Sequence, residues 1–124
     1  MDLTVELIFT SAMAAENFLQ EQYPEGSAYV IGESGIVTAL EDVGYTLAES
    51  SSDYVVLGEI FSYSFERIAT AIRLIASGSR FIATNPDVVG PSEKGIEPTC
   101  GAVAAMISAA TNVKAYFVGN PTLT

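Results

Sequence analysis

The chain has 124 residues, the length of one domain, and a net charge of −10 from fifteen acids against five bases. Those five bases are scattered, whereas binding a phosphate backbone or an acidic membrane surface requires clustered Lys and Arg, so nucleic acid and membrane are excluded as partners. Apolar residues make up 49% of the chain, enough to bury a core and too many for whole-chain disorder, and no apolar run approaches the roughly 20 residues of a spanning helix.

Asp2 stands where a secretion signal carries basic residues, which predicts a cytoplasmic protein. Leu7 to Phe9 is a short apolar run, read as a strand or a linker. Thr10 or Ser11 is an N-cap for a helix over residues 12–22, with Ala14, Ala15, Phe18 and Leu19 in one stripe. Tyr23-Pro24-Glu25-Gly26 ends it, and residues 28–31 form a strand closed by Gly32. Ser34 caps the next helix, whose Ile36, Ala39, Leu40 and Val43 share a face, and Gly44 stops it in the left-handed conformation. Residues 45–48 alternate as a short strand. The six or so residues to Tyr54 are too few for a helical crossover, so this strand is either an edge strand with an extended return or antiparallel.

Tyr54–Leu57 is the most strand-like run and reads as central, buried on both faces. A helix over residues 64–77 follows, with Phe65, Ile68, Ala69, Ile72, Ile75 and Ala76 inward, Glu66, Arg67, Thr70 and Arg73 outward, and Gly78 as its stop. Arg80–Ala83 is another strand, followed by the polar turn Thr84-Asn85-Pro86-Asp87 and a long loop. Thr99 starts an Ala-rich helix with Val103, Met106, Ile107 and Ala110 on one side and Ala102, Ala104, Ala105 and Ala109 on the other. Residues 116–118 make a last strand. The alternation predicts an α/β domain, a mainly parallel short sheet with helices on both faces. There is no histidine, which removes a Cys–His pair and the usual zinc ligand sets, and the lone Cys100 reads as a small packing residue. Gly32-Glu33-Ser34-Gly35 lacks the spacing and lysine of a phosphate loop and reads as a plain strand-to-helix turn.

The strand, polar loop and helix from residue 77 to 111 occupy the place where an open α/β sheet holds its ligand. On residues alone, Asn-Pro-Asp is also ordinary turn chemistry, with Thr84 and Asp87 bonding local backbone. The same stretch carries a resemblance. RFIATNPD, a Pro/Gly loop and CGAVAAMISAAT resemble the NagD-type, 4-nitrophenylphosphatase-like branch of the haloacid-dehalogenase phosphatases. FTSAMAAENFLQ, YVIGESGIVTALEDVGY, DYVVLGEIFSYSFERI and YFVGNP fit further segments of that family in order, so the likeness covers nearly the whole chain.

The resemblance implies a magnesium-dependent phosphomonoester hydrolase acting on a small phosphorylated metabolite. The family's catalytic parts are an Asp-x-Asp pair, a phosphate-binding Ser/Thr, a Gly-Lys-Pro lysine and a Gly-Asp-x-x-x-x-Asp metal motif. This chain has no Asp-x-Asp, and Asn120 stands in the lysine position, hydrogen-bonding but uncharged. The resemblance therefore implies a single domain over residues 1–124. About residues 7–114 would be the substrate-specificity cap, with hinge stubs at 1–6 and 115–124 to a missing catalytic core. It is expected to be inactive alone; the other reading is a stand-alone binding module derived from such a cap. Thr84, Asn85, Asp87 and Lys94 are its expected substrate-binding residues. Uncovered apolar surface implies a homodimer, with the Ala-rich side of the last helix as the candidate face unless it packs inside the monomer. A response-regulator-like domain is disfavoured, because the strand ends read Gly32-Glu33 and Gly58-Glu59.

Overall fold

The β-rich runs line up as one parallel sheet. The computed structural model describes residues 3–60, 62–92 and 95–118. Its elements are α1 (Leu3–Gln22), β1 (Ser27–Ile31), α2 (Ser34–Asp42), β2 (Thr46–Leu47), β3 (Tyr54–Leu57) and α3 (Phe65–Ala76). They continue with β4 (Arg80–Ala83), β5 (Val89–Ser92), β6 (Gly95–Pro98), α4 (Cys100–Thr111) and β7 (Tyr116–Phe117). The sheet order is β2-β1-β3-β4-β7 with every neighbour parallel, and β5 and β6 pair separately as an antiparallel hairpin.

Strand alternation sends side chains to two cores. Tyr29, Ile31, Val55, Leu57, Phe81 and Ala83 meet Ile68, Leu74, Ile75, Val103 and Ile107 of α3 and α4. Ala28, Val30, Tyr54, Val56 and Ile82 meet Ala15, Leu19, Ile36 and Leu40 of α1 and α2. Val55, Val56 and Leu57 have no exposure at all, and each such side chain contributes roughly 2 kcal/mol by its burial. The connection β1–α2–β2 winds one way with its helix on one face, and β3–α3–β4 winds the other way with its helix on the opposite face, as right-handed crossovers require. The strand order therefore reverses between β1 and β3.

Gly44 and Gly78 stop α2 and α3 in the same way, at φ +91 and +117. After α2, the N–H groups of Gly44 and Tyr45 reach back to the carbonyls of Glu41 and Leu40. After α3, those of Gly78 and Ser79 reach back to Ile75 and Leu74. Both are paired closures of the last turn that need a left-handed residue.

The joint between β2 and β3 that the sequence left open has a simple solution. β2 is a parallel edge strand opposite only Ser27 and Ala28, and β3 begins opposite Ala28 on the other side of β1. The chain need only pass beneath the start of β1, and it is fastened there. The carboxylate of Asp53 accepts from the N–H of Ser27 at 2.9 Å and from its hydroxyl at 3.1 Å, while the Ser27 Oγ accepts from the N–H of Asp53 at 2.9 Å. Because β2 is so short, the carbonyl of Val30 faces no strand. The Arg67 guanidinium donates to it and lies 5.4 Å from the centre of the Tyr29 ring, so a residue read as solvent-facing covers the bare strand edge.

Four expectations are corrected. Leu7 to Phe9 is neither strand nor linker: α1 runs unbroken from Leu3, because no Gly or Pro interrupts it, and it crosses the expected boundary at residue 7 without a break. Residues 90–92 and 95–97, read as part of a long loop, belong to the paired strands β5 and β6, whose prolines Pro91 and Pro98 masked the strand signal. The buried face of α3 is Ile68, Ala71, Leu74 and Ile75, and Phe65, in its first turn, is 84% exposed. On α4, Met106 and Ala110 face out while Gly101 and Ala104 face in.

Residues 23–26 turn α1 tightly into β1, so α1 ends at the amino edge of the sheet. α1 packs beside α2 on one face of the sheet through Ala12, Ala15 and Leu19. Strand β7, parallel to β4, leads out at the carboxyl edge.

Candidate functional site at the carboxyl edge of the sheet

Strands β1, β3 and β4 deliver Gly32-Glu33, Gly58-Glu59 and Thr84-Asn85 to this edge, which holds the reversal of strand order. Glu59 joins the parts. Its Oε1 accepts from the Asn85 Nδ2 at 3.1 Å and from the Cys100 N–H at 3.0 Å. One carboxylate oxygen therefore ties the end of β3 to the loop after β4 and to the first N–H of α4, where the helix dipole favours an anion. Tyr63 adds a bond from its hydroxyl to the Gly58 carbonyl at 2.8 Å.

The polar loop is locked from within. Asn85 is buried, and its Oδ1 accepts the Asp87 N–H at 2.9 Å, so both ends of its amide are engaged. The Asp87 carbonyl accepts from the Gly101 N–H at 2.9 Å and from the Thr99 hydroxyl. Gly101 is required at this contact: a Cβ there would lie 2.3 Å from the Pro86 carbonyl oxygen and 2.4 Å from that of Asp87. Thr84 is buried, with a hydroxyl that has no partner among the described residues, and the Asp87 side chain is exposed. Among the sequence-predicted residues, Thr84, Asn85 and Asp87 come together, with only Asp87 open to solvent. Lys94 and Asn120 lie outside the described residues.

Cys100 is fully buried and donates its thiol toward the Leu57 carbonyl at 3.4 Å. Burial pushes its pKa up. Hydrogen bonds at Thr84 and Asn85 act in the opposite direction, and the charge of Glu59 adds to the rise. Such a thiol is a packing group and a poor nucleophile at neutral pH. Burial likewise raises the Tyr63 phenol, with Cys100 and Glu59 adding to the effect.

Glu59 is the site residue the sequence did not reveal. The only signal was a carboxylate immediately after the central strand, which has many ordinary explanations on a surface this acidic. Among the described residues no three His, Cys, Asp or Glu side chains converge as a metal site needs; the resemblance implies no cofactor in this chain and magnesium only for the full-length enzyme. No helix among them is long and apolar enough to cross a membrane.

The site and sheet define an open, doubly wound α/β domain with a pre-formed loop at its switch point. No protein-family model matches the chain. It is 54% identical over 121 residues to the dihydroxyacetone phosphatase of Corynebacterium glutamicum, covering 98% of this chain and 44% of that protein. It is 39% identical over 122 residues to the ribonucleotide monophosphatase NagD of Escherichia coli, covering 98% of this chain and 47% of that protein. The solved structure of NagD from the same species superposes with a TM-score of 0.80 over 90% of this chain and 43% of that one. A thermostable p-nitrophenylphosphatase from Bacillus stearothermophilus does so with a TM-score of 0.84 at 37% identity, over 90% of this chain and 44% of that one. The chain is thus a homologue of the NagD-type phosphatases of the haloacid-dehalogenase superfamily. It spans about half the length of the curated relatives it matches.

Proposed function

We propose that the chain is the substrate-selecting cap of a NagD-type, magnesium-dependent phosphomonoester hydrolase, with about residues 7–114 as the cap. Residues 1–6 and 115–124 would lead to a catalytic core outside this sequence. The observation that carries this reading is that β7 ends at the carboxyl edge, next to the strand that leads into the locked loop. A core joined there would face that loop, and relatives about twice as long supply the size of such a core.

In this arrangement the cap does not hold the transferring phosphoryl group. The N-terminus of α4, the natural anion site of the edge, already carries the Glu59 carboxylate. Asp87 is the side chain presented outward, and its charge suits a hydroxyl or amine on the leaving group while repelling a second phosphate. Glu59 and Asn85 hold Asp87 in place, and closure of the cap shields the reaction from water. Lys94 is kept among the proposed substrate contacts on the resemblance alone, whereas Thr84 and Asn85, expected as contacts from the resemblance, are buried and support the loop. Self-association through the exposed Ala105, Met106 and Ala109 of α4 belongs to the same reading, because that face lacks a cover among the described residues.

The 124-residue chain is expected to show no turnover of 4-nitrophenyl phosphate with magnesium; activity that survives repurification and follows the protein peak would overturn the assignment. In the full-length enzyme, Asp87→Ala is expected to change kcat/KM unequally across phosphomonoesters with different leaving groups, with stability altered by less than about 0.5 kcal/mol. A uniform loss would remove the selecting role. The alternative, a stand-alone binding module, is favoured if the source reading frame holds no Asp-x-Asp upstream and no Gly-Asp-x-x-x-x-Asp downstream.

A further inference from the structure

At the amino edge of the sheet, opposite the locked loop, lies an open groove of about 840 Å³. Its walls are the segment that passes beneath β1, the last turns of α3 and the start of β4. The charges in it are unusual for so acidic a chain. Of the described cations, Arg67 is engaged at the β1 edge, whereas Arg73 and Arg80 both line this groove, exposed and without an ion-pair partner among the described residues. Two acids also line it. Asp53 has its Oδ2 held by Ser27, and Glu49 is exposed.

The groove is also rich in hydroxyls, and one of them is unsatisfied. Ser52 is 6% exposed and its Oγ has no partner among the described residues. Its carbonyl accepts from the Ser79 hydroxyl at 2.6 Å, so the backbone of Ser52 is fixed while its side chain is left over. Folding rarely leaves a buried hydroxyl unpaired, and Ser52 is one of the residues that line the groove. Tyr23, 48% exposed and with its ring 6.4 Å from that of Tyr54, adds a flat apolar face to the lining of the groove.

We infer that this groove binds a small phosphate ester. Arg73 and Arg80 take the oxyanion, for which the planar guanidinium fork is suited. Ser52 donates its unpaired hydroxyl, and Tyr23 covers the organic part. The site lies at the opposite end of the strands from Asp87, so it is separate from the substrate contacts of the proposed cap and does not depend on that reading.

The test is an amide-resolved NMR titration of the 124-residue chain at constant ionic strength, with inorganic phosphate in one arm and phenyl phosphate in the other. Saturable shifts are expected at Ser52, Asp53, Ser79 and Arg80 in both arms, tighter with phenyl phosphate, and none at Asn85 or Asp87. Arg73→Gln with Arg80→Gln is expected to weaken binding at least about tenfold with the melting temperature unchanged, since both side chains are exposed. Ser52→Ala is expected to weaken binding while leaving the melting temperature equal or higher, because the lost hydroxyl had no partner. Equal affinity of the two arms would assign the site to free phosphate and overturn the ester assignment. Non-saturable shifts, shifts untouched by the double substitution, or shifts confined to residues 84–87 would overturn the site. A Ser52→Ala protein with a lowered melting temperature and unchanged binding would overturn the part given to Ser52.

Discussion

The two ends of the sheet treat their polar groups differently. At the carboxyl edge, Glu59, Asn85 and the first turn of α4 satisfy one another, and the outcome is a fixed loop with an exposed Asp87, in which the Thr84 hydroxyl alone of the loop's buried side chains lacks a partner among the described residues. At the amino edge, the Ser27–Asp53 clasp settles the chain crossing, but Arg73, Arg80 and the Ser52 hydroxyl have no partner among the described residues. A pre-formed edge loses little entropy when it meets a partner or substrate, whereas an uncommitted one keeps donors available for a ligand. Rigidity in one place and unused hydrogen-bonding capacity in the other are two ways of being ready to bind.

The comparison breaks most decisively at Gly101. Gly101→Ala sets a methyl group against two backbone oxygens that have no flexible end to move aside. The expected cost is about 3 kcal/mol, with α4 pushed off the loop. Amide exchange should rise at Asp87 and Gly101 while Asp53 and Ser27 keep their protection; equal losses at both edges would mean that the two are one cooperative unit.

A smaller effect is expected at Glu59. Glu59→Ala strands the Asn85 amide and the Cys100 N–H, costing about 2 kcal/mol. Glu59→Gln keeps an acceptor and loses only the charge at the helix N-terminus, costing about 0.5 kcal/mol. Denaturant melts of the pair check this, and equal costs would show that the charge, not the acceptor, holds the edge. Asn85→Ala should resemble Glu59→Ala, which marks Asn85 as a positioning residue and separates it from Asp87.

The smallest effect sharpens the amino edge. The Tyr45 hydroxyl bonds the Tyr23 carbonyl in the turn between α1 and β1. Burial, with nearby Tyr54, Asp53 and Tyr23, pushes its pKa from 10.0 up to about 12. The folded state favours the neutral phenol, so its contribution is complete below pH 10 and declines as pH rises toward about 12. The melting temperature should fall across that window, and Tyr45→Phe should flatten the fall; an unchanged slope would place the alkaline transition elsewhere.

The sheet strands were legible because short β-branched runs bounded by Gly or polar turns have few other uses. Tyr54–Leu57 and Arg80–Ala83 appear with the bounds that the residues suggested. Gly44 and Gly78 were legible because a left-handed stop is a local requirement. The inward faces of α3 and α4 were less so. Periodicity gives a stripe but not which edge of it meets the sheet, and the place of Gly101 is fixed by backbone contacts with Pro86 and Asp87, fifteen and fourteen residues away in sequence. The site was legible as a loop and not as a network. Thr84, Asn85 and Asp87 are adjacent in sequence, while the carboxylate that organises them arrives from β3, 26 residues before Asn85.

Arg67 has a consequence for the life of the protein outside its site. The carbonyl of Val30 lies on a stretch of β1 that has a neighbour strand on one side only. An open strand edge invites a strand from another molecule, and a positive charge set across it makes that invitation costly. Arg67 is thus a guard against strand addition between copies. Its loss would show first as slow clumping in concentrated solution, long before the domain itself came apart.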